Sequence, residues 1–261
     1  MTDTVLVNFH CHSIFSDGEL TPEALVANMS ASGVKYAALT DHDSLEGLPR
    51  FVEALHSHNI AGFPGVELTT WFENREVHLL GYGFDPTESN LIETLRSIRQ
   101  IHESEVLSIA GSLRKKGSHT RFTHLKEPGG QSAAPQGKLE LDRAIDLVHR
   151  AGGRIFLAHP QVYESNPGKL EQFILRLKEL GLDGIEALTD PDQEPSIDDL
   201  AAFARKNNLL ICAGTDIHDP ENKSGQAYAI EMPRKDWIAL RSDIFSSKAL
   251  SIKPEALAGN T

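Results

Sequence analysis

The 261 residues suffice for one large domain, alone or with an insertion, and 40% hydrophobic against 24% charged residues excludes wholesale disorder. With 25 Lys and Arg against 37 Asp and Glu the net charge is −12, which argues against a protein that coats DNA or RNA but allows a phosphorylated substrate offset by metal ions. Two distant cysteines, no long apolar stretch and a start unlike a signal peptide predict a soluble, cytoplasmic protein with no disulfide framework and no membrane partner.

The first predicted strand, Val5–Phe9, ends in His10-Cys11-His12. Alternate strand residues share a face, so the two imidazoles point one way, suited to a shared metal ion, and Cys11 packs on the other side. Thr21 as cap and Pro22 at the first helical position open a helix over Pro22–Ser32, which Gly33 stops. A strand at Tyr36–Thr40 runs into Asp41-His42-Asp43, and a helix follows over Ser44–His58. Strands at Ile60–Val66 and Val77–Tyr82 come next, the first ending at Glu67, the second carrying His78 at its beginning.

A long helix, Ile92–Lys116, precedes Ser118–Lys138, a Gly- and Pro-containing stretch without a period that reads as a long loop or reduced cap inside a single domain of 1–261. Helices at Glu140–Ala151, Lys169–Leu180 and Ser196–Lys206 then alternate with strands at Arg154–Ala158, Gly184–Leu188 and Leu209–Ala213, with a last strand at Ala227–Glu231 and a loosely attached tail after Lys248. His159-Pro160 closes the Arg154–Ala158 strand, and Asp216 and His218 follow Leu209–Ala213, again two residues apart. Repeated strand–helix units predict a parallel sheet with helices outside it, better suited to a closed barrel than to an open doubly wound sheet.

In a parallel barrel the strand ends open on one face, so these imidazoles and carboxylates would meet. Any one of them could be structural, but their recurrence at successive strand ends favours an assembled site. The donors are nitrogen and oxygen without a thiolate cluster, which favours Zn, Mn or Fe, and they are too many for one ion, so two to three divalent ions are expected. Such clusters activate water and clamp ester oxygens, which is hydrolytic chemistry.

The segments HCHSIFSDGELTP, ALTDHDSLEGL, PGVELTT, VHLLGYGFDP, LAHP and GTDIHD occur in this order. In combination they resemble the PHP (polymerase and histidinol phosphatase) family of metal-dependent phosphoesterases, most closely its small nucleotide-hydrolysing branch. The resemblance implies a distorted (β/α)7 barrel with a trinuclear metal site at the C-terminal face of its strands. It implies His10, His12, Glu67 and Asp216 on a first ion, Glu67 bridging to a second completed by His78 and His159, and Asp17, His42 and His218 on a third. Asp41 and Asp43 read as supporting partners or helix-start residues. His218, Glu67 and Asp216 are the catalytic candidates, with His218 or a water protonating the leaving group. Arg121, His124 and Lys138, in the segment where the chain departs from the branch, are candidates for substrate phosphate.

The function so implied is hydrolysis of a small phosphorylated substrate, most plausibly a nucleotide or nucleoside 3′,5′-bisphosphate, with no extended nucleic-acid binding. Three alternatives stand beside it. A histidinol phosphatase is disfavoured by Asp17, where that type carries histidine. A 5′–3′ exoribonuclease is disfavoured by the charge and the shortened segment. A non-catalytic metal-binding domain would call for a degraded ligand set, and the set here is intact.

Overall fold

The computed structural model describes residues 3–101, 138–189, 197–219 and 228–244. It is a mixed α/β architecture built on two sheets. The smaller sheet holds β1 (Thr4–Asn8), β2 (Tyr36–Ala37), β3 (Ala61–Gly62) and β10 (Ile230–Pro233) in the order β10-β1-β2-β3. The larger holds β4 (Gly65–Phe72), β5 (Arg75–Tyr82), β6 (Leu139–Glu140), β7 (Arg154–Leu157), β8 (Gly184–Leu188) and β9 (Leu210–Ala213) in the order β6-β4-β5-β7-β8-β9.

The wholly parallel sheet expected from the strand–helix alternation is not what forms. β5 runs antiparallel to both of its neighbours, β4 and β7, and β10 runs antiparallel to β1, while β1-β2-β3, β7-β8-β9 and β4-β6 are parallel. The reason is local. Glu73 and Asn74 both adopt left-handed backbone, φ 48° and 61°, which suits the right-handed twist of the strands that flank a two-residue turn. That turn folds β5 straight back on β4 instead of sending the chain through a crossover helix. The predicted strand Ile60–Val66 also divides, because Pro64 offers no N–H to a ladder. Glu67 is therefore the third residue of an eight-residue strand, not a residue at a strand's end.

Helices α1 (Pro22–Ala31), α2 (Leu48–Ser57), α4 (Leu141–Arg150), α5 (Pro167–Glu179) and α6 (Ile197–Lys206) form where the periodicity predicts them. Thr21 caps α1 by accepting the Ala24 N–H, and Asn166 caps α5 by accepting that of Lys169. The long helix α3 is described from 89 to 101; its predicted continuation, the 118–137 stretch and the tail lie outside the described residues. A C-terminal helix, α7 (Arg234–Ile244), was not legible in the sequence. It buries Trp237, Leu240 and Ile244. Among the described residues no helix is long and apolar enough to cross a membrane.

The core fills the space between the sheets and helices. Tyr82 is fully buried and donates its hydroxyl to the Phe9 carbonyl (2.8 Å), while the Phe9 ring meets Phe63 at 5.0 Å and stacks on Trp237 at 5.7 Å. Burying each such ring stabilises the fold by roughly 1.5–3 kcal/mol. A second apolar cluster joins α1 to α2 through Leu25, Val26, Met29, Phe51 and Leu55.

Backbone hydrogen bonds beyond the regular ladders tie the two sheets together. The Phe9 N–H reaches the Ala213 carbonyl (2.9 Å) and the His12 N–H the Ile217 carbonyl (3.0 Å), joining the extensions of β1 and β9. On the other side the Asp43 N–H reaches the Glu67 carbonyl (2.8 Å), joining the segment after β2 to β4. Gly214 is needed at the first junction, since a Cβ there would overlap the backbone and Cβ of His10. Segments 10–12, 41–43 and 214–218 are thereby brought together.

Candidate metal centre

His10 and His12 lie on the extension of β1, fully buried and turned to the same side, as their spacing predicts. Cys11 points away and donates its thiol to the Ala38 carbonyl (3.3 Å), a packing role. Glu67 rises between them from β4. Its Oε2 lies 3.1 Å from His10 Nε2, 3.0 Å from His12 Nε2 and 3.4 Å from His42 Nε2. Its Oε1 lies 3.0 Å from His78 Nδ1 and 3.2 Å from His159 Nε2. Every imidazole predicted as a metal ligand, except that of His218, thus converges on one carboxylate that is only 1% exposed.

Two further carboxylates complete the group. Asp216 Oδ1 is 3.2 Å from both His10 Nε2 and His12 Nε2, and Asp17 reaches His218 Nε2 at 3.3 Å and His12 Nδ1 at 3.5 Å. The ring of His218 stacks on His12 with centroids 4.0 Å apart. His10 and His12 form the closed floor, whereas Asp17, Asp216 and His218 are each about one-third exposed and form the open side. Strand direction explains His78: because β5 runs antiparallel, its early residues reach the edge where its neighbours place their later ones.

The donors fall into three overlapping sets. The ligand atoms of His10, His12, Glu67 and Asp216 all lie within 4.8 Å of one another, as do those of His12, Asp17, His42 and His218 and those of His42, Glu67 and His78. Both ring nitrogens of His12 and the Nδ1 atoms of His42 and His159 are buried without a hydrogen-bond partner. Buried polar atoms without partners are expensive unless something else satisfies them. Imidazole nitrogens and carboxylate oxygens are what a borderline or hard divalent cation takes, so the residues fit such ions.

Electrostatics point the same way. Burial would lower His10, but the carboxylates of Glu186, Asp216 and Glu67 hold it well above its usual value. Against the same burial, the carboxylates of Asp216 and Glu67 facing its ring raise His12 to about 9, and Glu67 and Glu76 raise His78 to about 10. Burial pushes Glu67 up, yet His42, His10 and His12 hold it well below the carboxylate range; Asp17 and Asp216 are depressed in the same manner. His42 goes the other way, to about 4, because burial and the neighbouring His12 and His78 outweigh Glu67 and Asp17. Without cations the cluster holds its charges together only by retaining protons, which metal ions would displace.

Supporting residues hold this geometry. Asp41 is buried and accepts the Ser13 N–H (2.7 Å), the Ser13 hydroxyl (2.7 Å) and the Ser16 hydroxyl (2.9 Å), anchoring the loop that carries Asp17. Asp43 accepts the Thr69 N–H (3.0 Å). Both take the supporting parts their positions suggest. Asp43, His159 and Asp216 adopt positive φ (48°, 30° and 50°), conformations that persist only where surroundings impose them.

Two carboxylates at the centre escaped sequence reasoning. Glu186, on β8, is fully buried beside His10, and Glu76 faces His78 Nε2 at 3.1 Å. The available signal for Glu186 was a lone charge within the apolar Gly184–Leu188 strand. Lys138 is described with its Nζ 2.6 Å from Glu76 Oε2; Arg121 and His124 lie outside the described residues.

A model of the PHP domain matches residues 8–167. The chain belongs to the PHP domain family. It is 29% identical over 279 residues to the 5′-3′ exoribonuclease Rnm of Escherichia coli, covering 91% of this chain and 92% of that protein. It is 27% identical over 249 residues to the 3′,5′-nucleoside bisphosphate phosphatase of Chromobacterium violaceum, covering 82% and 87%. Among solved structures, an amidohydrolase from Chromobacterium violaceum with bound SO4 superposes with a TM-score of 0.74 at 24% identity, covering 91% of this chain and 96% of that one. At that identity the likeness concerns the fold. His10, His12, Asp17, His42, Glu67, His78 and His159 lie inside the matched PHP segment, and Asp216 and His218 reach the centre from beyond it.

Proposed function

We propose that this PHP-family phosphoester hydrolase removes a phosphate from a nucleotide that carries a second phosphate, a nucleoside 3′,5′-bisphosphate, with three divalent ions as cofactors. The observation that carries the reading is the position of Glu67 among five imidazoles, with Asp216 and Asp17 flanking it. In this reading His10, His12, Glu67 and Asp216 hold one ion, Glu67, His78 and His159 a second, and Asp17, His42 and His218 a third. Divalent ions bound there supply a lowered water pKa and charge to balance the phosphoryl oxygens.

The chain's own residues account for the rest. His218 Nδ1 lies 3.0 Å from the Asp216 carbonyl, which can only accept, so the Nδ1 proton is committed there and Nε2 is left to face Asp17. That tautomer suits a ligand, and the departing alkoxide then takes its proton from water on the open side. Glu67, ionised and buried, and Asp216, ionised on the open side, would supply the carboxylates that hold ions at this end. Lys138 sits one carboxylate away from His78, where a cation can meet the substrate's second phosphate. The hydrogen bonds between the sheets support a single domain whose strands close into a distorted seven-stranded barrel, with the centre at one end.

The second reading is 5′–3′ exoribonuclease action, favoured by the relationship to the Escherichia coli enzyme of that name, and it leaves RNA open as a partner despite the net charge. Phosphate release by Mn-loaded protein separates the two. The panel is adenosine 3′,5′-bisphosphate, histidinol phosphate, an aryl phosphate and a 5′-phosphorylated RNA oligomer. The bisphosphate is expected to lead in kcat/KM, and stepwise release of mononucleotides from the oligomer at higher efficiency would overturn that order.

A further inference from the structure

We propose that Glu186 is a positioning residue that locks the first and second halves of the metal centre to each other, by fixing the ring of His10 with one oxygen and the backbone of His159 with the other. The inference rests on the metal-centre reading above. Glu186 is fully buried on β8, between β7 and β9. Its Oε1 lies 3.0 Å from His10 Nδ1, and its Oε2 accepts the His159 N–H at 2.8 Å. With both oxygens so engaged, Glu186 supports ligands and is not one itself.

Each contact has a separate consequence. A carboxylate facing His10 Nδ1 requires a ring proton there, so in the neutral ring that an ion would need the lone pair is on Nε2, the atom 3.1 Å from Glu67 and 3.2 Å from Asp216. His159 has φ 30° and ψ 61°, a left-handed conformation immediately before Pro160, and the bond to Glu186 is what its N–H gains there. His10 follows β1 in one sheet and His159 follows β7 in the other. A single side chain on β8 therefore sets the distance between ligands assigned to different ions.

The discriminating change is Glu186→Gln, which keeps the shape. Its carbonyl still accepts from His159, but its amide group then donates toward His10 Nδ1. That forces the ring proton onto Nε2, the nitrogen meant for the ion. The experiment compares wild type, Glu186→Gln and Glu186→Asp as full chains. It measures Zn affinity and stoichiometry, the melting temperature of chelator-treated protein, and the ¹⁵N ring resonances of His10, assigned with His10→Asn.

The expected result is at least about tenfold weaker binding of one ion in Glu186→Gln, the others being retained, together with a switched His10 tautomer. Glu186→Asp, which keeps the acceptor charge, should recover the tautomer and part of the affinity. Unchanged Zn affinity in Glu186→Gln would overturn the proposal. So would an equal drop in melting temperature with and without Zn accompanied by an unchanged His10 tautomer, since that marks a purely structural role. Wild-type protein that binds no Zn or Mn would instead overturn the metal-centre reading on which the proposal stands.

Discussion

Glu67 Oε1 lies 3.0 Å from His78 Nδ1 although Glu67 pairs with Leu80 and His78 with Thr69, a diagonal contact across the β4–β5 hairpin. Diagonal neighbours on one face of an antiparallel pair are within reach of long side chains, so the hairpin itself sets one of the imidazole contacts of Glu67. Glu67→Gln keeps the volume and removes the charge that five imidazoles face. Metal content should fall by at least one ion per chain and kcat by about 100-fold or more. Elemental analysis alongside phosphate release checks both, and wild-type turnover with full metal content would remove Glu67 from the proposed ligand set.

Asp17 is held at the open side by Asp41 through the Ser13–Ser16 turn. Asp17→Asn should weaken one ion selectively and leave the ion of the buried His10 and His12 in place, as read from stepwise metal titration. The shorter, anionic residue also suits a larger leaving group than histidine would. Nucleotide substrates should therefore exceed histidinol phosphate at least about tenfold in kcat/KM, equivalent to about 1.4 kcal/mol.

The metal-free protein should lose stability as pH rises from 6.5 to 9. His12 and His78 are raised from 6.5 to about 9 and about 10 by the carboxylates around them. The folded chain thus keeps protons that the unfolded chain has released, and their stabilisation is complete below 6.5 and fades as pH climbs through the folded values. Bound ions replace those protons, so the metal-loaded protein should keep its melting temperature across the same interval. Melting curves with chelator and with Zn at pH 6.5 and 9 test this, and parallel curves would contradict it.

Lys138 pairs with Glu76, which in turn faces His78 Nε2. Lys138→Ala should raise KM for a nucleoside bisphosphate about tenfold while leaving turnover of an aryl phosphate nearly unchanged, because only the former offers a second phosphate to bind. Equal effects on the two substrates would mean that Lys138 acts through Glu76 and His78 on the metals.

The residue chemistry of the centre was legible in the sequence because it is written in short-range patterns. His10-Cys11-His12 sits at the strand spacing that aligns alternate side chains, and the ordered run of PHP-like segments carries every imidazole and carboxylate of the three overlapping donor sets. Helix positions followed from caps and periodicity for the same reason: Thr21 and Pro22 act within one turn of chain. Strand direction lay beyond such patterns. Whether β5 continues through a crossover or turns back depends on the backbone conformation of Glu73 and Asn74, whose side chains carry no strong turn signature, so the parallel expectation failed there. Glu186 was invisible as a partner because its role depends on β8 lying between β7 and β9, a pairing made by residues far apart in the chain. Residue type and local spacing determined which groups could bind metal. The non-local pairing of strands decided which of those groups share an ion-sized space, because only folding can cancel the cost of bringing like-charged and unpaired polar groups together.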